Sequence, residues 1–144
     1  MSRFIDLYVE QAVIGGIMLT GLGGKFTSLV FAATGGQSGL CLSMVAIVCI
    51  ILGMGVPTAP AYIIVATLGA PALMKADVPI IAAHMFVYFY AILSVITPPV
   101  CLAAFAGAAI AETNAMKTGV TAMKLGIVAF IIPFMFVFEP ALLM

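Results

Sequence analysis

Two proline-bearing interruptions hold most of the chemistry this sequence offers: Leu52-Gly-Met-Gly-Val-Pro-Thr-Ala-Pro60 and Ser94-Val-Ile-Thr-Pro-Pro-Val100. Both lie inside apolar sequence. A proline lacks an amide donor, so in a helix it leaves the carbonyl four residues earlier without its partner. By that count Pro57 and Pro60 free the carbonyls of Gly53 and Val56, while Pro98 and Pro99 free those of Ser94 and Val95. Thr97, which precedes a proline, is pushed out of helical geometry. Neutral carbonyl oxygens suit a hard cation and hold it loosely enough to release it again. Thr58 and Thr97, one beside each break, offer hydroxyls to a substrate or ion without the cost of a buried charge. The competing reading of each threonine is a hydroxyl bonded back to its own helix.

A second set of reactive groups is thinner. His84 is the only histidine and sits in Ala82-Ala-His-Met-Phe86, an apolar setting in which a neutral imidazole bonded between helices is the plain reading and a proton relay the sharper one. Gly36-Gln-Ser-Gly39 has the Gly-x-Ser-Gly shape of intramembrane serine proteases, which would pair Ser38 with His84. Four common turn residues make a weak motif, and His84 lacks neighbouring glycines. Cys41, Cys49 and Cys101 have no ligand-like spacing and read as small buried hydrophobes. The ten methionines read as packing filler, with no sign of a copper or calcium site. Thr20-Gly-Leu-Gly-Gly-Lys25 is not a phosphate loop, because Leu19 stands where the first glycine belongs and Phe26 follows the lysine.

The elements that must position these groups are membrane-embedded. Of 144 residues, 65% are hydrophobic and 7% charged, against about a quarter charged in soluble domains. Residues 26–74, 78–111 and 125–138 contain no Asp, Glu, Lys or Arg, and a hydrocarbon core takes about 20 helical residues to cross. The lipid bilayer is thus the expected partner, while five basic residues balance five acidic ones, so nothing argues for nucleic acid or for electrostatic docking to anionic lipid. In that setting, paired broken helices mark the binding site of a secondary transporter.

Residues 1–10 read as an amphipathic connector rather than a signal peptide, since charge is mixed and no apolar core follows a basic start. Ala12 to Leu22 is short enough to be re-entrant. Leu40 to Leu52 enters the first break and Ala59 onward leaves it, ending near Ala70-Pro71, as one discontinuous helix or a hairpin with its tip at Gly53 to Pro60. Ile80 to Ile96 enters the second break, and half-helices are expected to begin near Ala59 and Val100. Ala103, Gly107 and Ala111 have the four-residue spacing of a close helix contact. Glu112 to Lys117 reads as a solvated turn, with Lys117 and Lys124 pointing to a cytoplasmic side. Leu125 to Phe138 reads as a last apolar helix interrupted at Pro133.

Leu52-Gly-Met-Gly-Val-Pro-Thr58, Ala83-His-Met-Phe86, Ile96-Thr-Pro-Pro-Val100 and Pro133-Phe-Met-Phe-Val-Phe-Glu-Pro-Ala-Leu142 together resemble the large membrane subunit of tripartite ATP-independent periplasmic (TRAP) transporters. Thr20-Gly-Leu-Gly23 and Asn114-Ala-Met-Lys-Thr-Gly119 fit the same pattern, so the likeness covers nearly the whole chain. It is nearest to the C-terminal part of the type in which small and large membrane subunits are fused. The resemblance implies an all-α polytopic protein of the bacterial inner membrane with broken, re-entrant helices, one half of an inverted-repeat transporter. Residues 1–144 would then be a single membrane domain, a fragment or split subunit whose partners are the remaining repeat, the small membrane subunit and a periplasmic solute-binding protein. The implied activity is sodium-coupled uptake of organic anions, commonly carboxylates, and not an enzymatic one. By position the sodium ligands fall on Gly53, Ser94, Thr97 and Val100; the substrate contacts are expected from the breaks themselves, on Pro57, Thr58, Thr97 and Pro98. Two departures stand out: Ser94 replaces a glycine of many members, and Cys101 stands where a glycine often follows Thr-Pro-Pro-Val. The readings from other classes are an intramembrane serine hydrolase using Ser38 and His84, and a scaffold in which neither break binds anything.

Overall fold

Glycine and proline decide where the helices of this apolar chain stop. The computed structural model describes residues 2–56 and 58–143, and its elements are helical throughout: α1 (Ser2–Leu19), α2 (Leu22–Thr34), α3 (Ser38–Gly53), α4 (Thr58–Lys75), α5 (Ile80–Leu93), α6 (Leu102–Ile110), α7 (Ala115–Leu125) and α8 (Ile132–Phe138). Three short 3-10 segments join them, Ser94–Ile96, Ile127–Phe130 and Pro140–Leu143. The fold class expected from the sequence, all-α with broken helices, is the one observed. α1 runs unbroken from Ser2 to Leu19, and the chain turns at Thr20 and Gly21, so the stretch expected to be re-entrant is divided between α1 and the start of α2.

Four helices make the core. α4 packs against α2, α3 and α5, and Leu42, Val45, Val65, Leu73, Phe86 and Val87 are buried between them. The close approach rests on Gly69 at the middle of α4. A Cβ there would lie 3.0 Å from Val45 Cγ1, 3.2 Å from Val87 Cγ2 and 3.4 Å from Cys49 Sγ. Val45 of α3 and Val87 of α5 thus meet the same glycine, and further along the same two helices Gly53 meets Ser94. α3 and α5 therefore run in the same direction, and α4 returns between them as the second arm of a hairpin. Both breaks consequently lie at one end of the bundle. Gly69→Ala is expected to destabilise the bundle by about 1–3 kcal/mol through overpacking, despite the better helix propensity of alanine. Thermal unfolding in detergent should show this, with Gly39→Ala, where nothing lies within 4 Å, as the neutral comparison.

Several boundaries differ from the sequence reading. α4 continues through Pro71 to Lys75 instead of ending at the proline. The carbonyl that Pro71 deprives of a donor is that of Thr67, and it faces Gly23 of α2, whose Cβ, if present, would be 3.2 Å away. The helix stops later, where Asp77 adopts φ 62 and Val78 N–H bonds back to the Leu73 carbonyl, a Schellman closure. The stretch from Leu125 to Phe138 is not one helix: the 3-10 segment ends at Phe130 and α8 starts at Ile132 with Pro133 in its first turn, where no helical bond is lost, and a further bend of 61° lies at Gly126. Glu112 to Asn114 does form a turn, and Asn114 caps α7 by accepting from Lys117 N–H.

α8 returns along α5 through aromatic contacts: Phe134 stands edge-on to Phe86 at 5.3 Å, and the Tyr90 hydroxyl donates to the Phe130 carbonyl. The small-residue stripe Ala103, Gly107 and Ala111 is exposed, whereas Ala104 and Ala108 form the inner face of α6. Among the described residues no single helix is long and apolar enough to cross a membrane. The pair Ala115–Leu125 and Ile127–Phe138 passes that test together.

Candidate functional site

The site is the meeting point of the two breaks. α3 ends at Gly53, a turn through Met54, Gly55 and Val56 follows, and α4 starts at Thr58. Pro57 lies outside the described residues. On the other side α5 ends at Leu93 and tightens into the 3-10 turn Ser94–Ile96, after which Thr97 is extended (φ −91, ψ 124), as a residue before proline must be. The Pro98–Pro99 peptide is cis. α6 then begins at Leu102, two residues later than expected.

The contact between the breaks is close because Gly53 has no side chain. A Cβ there would sit 2.6 Å from Ser94 Oγ and 3.0 Å from Ser94 Cβ. Gly55, at φ 83, faces Val100, whose Cγ1 would be 3.6 Å from an added Cβ. Four residues singled out by sequence are thus brought to one place: Gly53, Ser94, Thr97 and Val100 all belong to this junction, and Pro98 lies within its turn. Thr58 is half-buried at the start of α4.

The carbonyls are not left bare by the prolines. The turns themselves re-satisfy them: Val56 N–H reaches the Gly53 carbonyl at 3.4 Å, Thr97 N–H reaches that of Ser94 at 3.2 Å, and Cys101 N–H reaches that of Thr97 at 3.2 Å. Each oxygen keeps a second lone pair. Pro60 falls in the first turn of α4, where a missing donor costs nothing, so it breaks no bond to Val56.

Both hydroxyls at the second break bond back to their own helix. Ser94 Oγ donates to the Ala91 carbonyl at 2.6 Å, and Thr97 Oγ1 to that of Leu93 at 2.7 Å. Ser94 is 0% exposed and Thr97 6%. With each proton committed to a carbonyl, the two oxygens present lone pairs. Buried neutral oxygens, a glycine that clears the approach, and no charged side chain anywhere in residues 26–74 or 78–111 form a donor set that fits a small hard cation.

His84 lies elsewhere on the α4–α5 face. Its Nδ1 is 3.0 Å from the Tyr62 hydroxyl, and Tyr62 also stands edge-on to Tyr88 at 5.6 Å. The pair borders a cleft of about 320 Å³ lined by Ile63, Ala66, Pro71 and Met74. Ser38 is exposed at the start of α3, and the imidazole's partner is a tyrosine rather than that serine. Sequence reasoning missed Gly55, Gly69 and Tyr62. Only the doubled glycine of Gly53-Met-Gly55 signalled the first of these.

A family model described as "Tripartite ATP-independent periplasmic transporter, DctM component" matches residues 7–144. No curated protein and no solved structure matches the chain. A match over nearly the whole length, reached independently of the broken helices and their junction, shows that the chain belongs to the DctM family of TRAP transporter membrane components.

Proposed function

We propose that the chain is a transmembrane permease component of a sodium-coupled secondary transporter of the bacterial inner membrane, taking up organic anions of the carboxylate class delivered by a periplasmic solute-binding protein. It would act as one half of an inverted repeat, completed by the remaining membrane repeat and a small membrane subunit, in the manner of the fused type. The observation behind this reading is the seating of Gly53 against Ser94, which puts two helix breaks, rich in neutral oxygens, in contact. A bound sodium ion would supply positive charge at the junction. Gly53, Ser94, Thr97 and Val100 would hold it through carbonyl and hydroxyl oxygens. The exposed stripe Ala103, Gly107 and Ala111 is a face for the other repeat.

A carboxylate needs partners, and no basic side chain belongs to either break. Lys75, the basic residue of α4, sits over the Phe31 ring at 4.8 Å, at the far end of that helix. At 1.5 Å per residue this is about 25 Å from Thr58. The substrate would therefore be met by the N-terminal amides of α4 and α6 and by the hydroxyls of Thr58 and Thr97, with Pro57 and Pro98, their neighbours in the sequence, as further contacts.

Thr58→Val tests this, because the shape is nearly kept and only the hydroxyl is lost. In the complete assembly it is expected to lower carboxylate uptake by about 10-fold, the worth of one hydrogen bond to a charged group, with unfolding unchanged. Full activity in Thr58→Val, with loss of activity in Lys75→Gln, would place the substrate at the other end of α4.

A further inference from the structure

We propose that α7 is a clasp on the second break, with Gly119 and Gly126 as positioning residues for Thr97–Val100; the functional half of this proposal rests on the sodium site above. Two glycines of the α7 segment receive side chains from either side of the break. A Cβ on Gly119 would overlap Cys101 Sγ, and one on Gly126 would lie 2.9 Å from Ile96 Cδ1. Ile96 and Cys101 immediately bracket the non-helical residues Thr97, Pro98, Pro99 and Val100. Gly119 and Gly126 are seven residues apart, two helical turns, and so lie on one face about 10 Å from each other.

α7 therefore spans the break and touches both of its shoulders, in the opposite chain direction. The two contacts differ in kind. Gly126 is also where the chain bends by 61° between Ala115–Leu125 and Ile127–Phe138, so its contact with Ile96 sits at the bend. Gly119 lies inside α7, where a glycine weakens the helix and so needs a reason to be there. The reason is the thiol. Cys101 is 0% exposed and held at φ 25, a conformation costly for any residue with a side chain, and only a bare α-carbon opposite leaves room for its sulfur. A small rotation of α7 about Gly126 would carry Cys101 relative to Ile96 and so lengthen or compress the break that contributes Thr97 and Val100 to the cation site.

The test is a double-mutant cycle with two readouts, thermal unfolding and the sodium concentration for half-maximal uptake, both in the complete assembly in proteoliposomes. Gly119→Ala is expected to lower the unfolding midpoint and to raise sodium half-saturation ~5-fold, and adding Cys101→Ala, which removes the sulfur, should bring both back to within ~2-fold of the parent. Gly24→Ala, with nothing within 4 Å, should change neither. If Gly119→Ala fails to accumulate, recovery of folded protein in the Gly119→Ala/Cys101→Ala pair supports the clasp, and non-recovery overturns it. Stability that moves while sodium half-saturation does not would overturn the positioning role and leave a packing contact. A parent assembly whose uptake ignores sodium would instead count against the sodium reading, and the unfolding cycle would still report on the clasp.

Discussion

Gly53→Ala is expected to raise the sodium requirement of the assembled transporter by ~10-fold or more. The added carbon would lie 2.6 Å from Ser94 Oγ and 3.0 Å from Ser94 Cβ. Ser94 has no room to yield: it is 0% exposed, and its hydroxyl is committed to the Ala91 carbonyl at 2.6 Å. The end of α3 must therefore move away from α5, and the two breaks part. Overpacking of this kind costs about 1–3 kcal/mol, and at 1.4 kcal/mol per decade the upper part of that range exceeds a tenfold change. The companion variant identifies the cause. Ser94→Gly in the Gly53→Ala background removes both clashing atoms, so it should restore the approach of the helices while lacking the Ser94 hydroxyl. Sodium-titrated uptake in proteoliposomes measures both. A Gly53→Ala protein with the parent's sodium dependence would show that the junction of the breaks does not hold the ion.

The sequence made the breaks legible because proline and glycine act locally: a missing donor or a missing Cβ has the same consequence in any fold. Thr97 is extended for a reason contained in the dipeptide Thr97-Pro98. Local reasoning also erred where neighbours changed the outcome. Pro71 ends no helix, since the Thr67 carbonyl it strands is covered by Gly23 from another helix. Pro133 begins a helix where local reasoning expected it to interrupt one, since it falls in the first turn of α8. The stripe Ala103, Gly107 and Ala111 has helix-contact spacing, yet the face turned inward is that of Ala104 and Ala108. Spacing defines a face without saying which way it points.

The juxtaposition of the breaks was less accessible still. It depends on α3 and α5 running in the same direction, which follows from α4 passing between them, and that in turn depends on Gly69 admitting Val45 and Val87 to within 3.2 Å of one α-carbon's missing substituent. Nothing in the immediate sequence of Gly69 distinguishes it from the other glycines in apolar stretches. The same is true of Gly119 and Gly126, whose partners are 18 and 30 residues away in sequence. Contacts of this range are what a pattern of residue types does not contain.

Pro98→Ala is the second large effect, and it acts by competition between a helix and an ion. The alanine supplies an N–H four residues after Ser94, whose carbonyl is now held by Thr97 N–H at 3.2 Å in a 3-10 turn. It also lifts the pre-proline restriction on Thr97, leaving that restriction on residue 98 alone, because Pro99 still follows. α5 can then continue through Thr97. Replacing proline with alanine favours helix by about 3 kcal/mol at an interior position, whereas one neutral hydrogen-bond-like contact is worth about 1 kcal/mol, so the helix wins. The Ser94 carbonyl is then drawn into a helical bond, and Thr97, changed from extended to helical, turns its own carbonyl, which now accepts from Cys101 N–H, away from its present direction. The expected result is sodium half-saturation raised by ~10-fold with the unfolding midpoint equal to or above the parent's. Pro99→Ala provides the contrast: Pro98 still holds Thr97 extended, and the new donor lies opposite Val95, outside the proposed ligand set, so the shift should stay under ~3-fold. Equal shifts in the two variants would mean that general loosening of the loop, rather than withdrawal of these two oxygens, governs sodium binding.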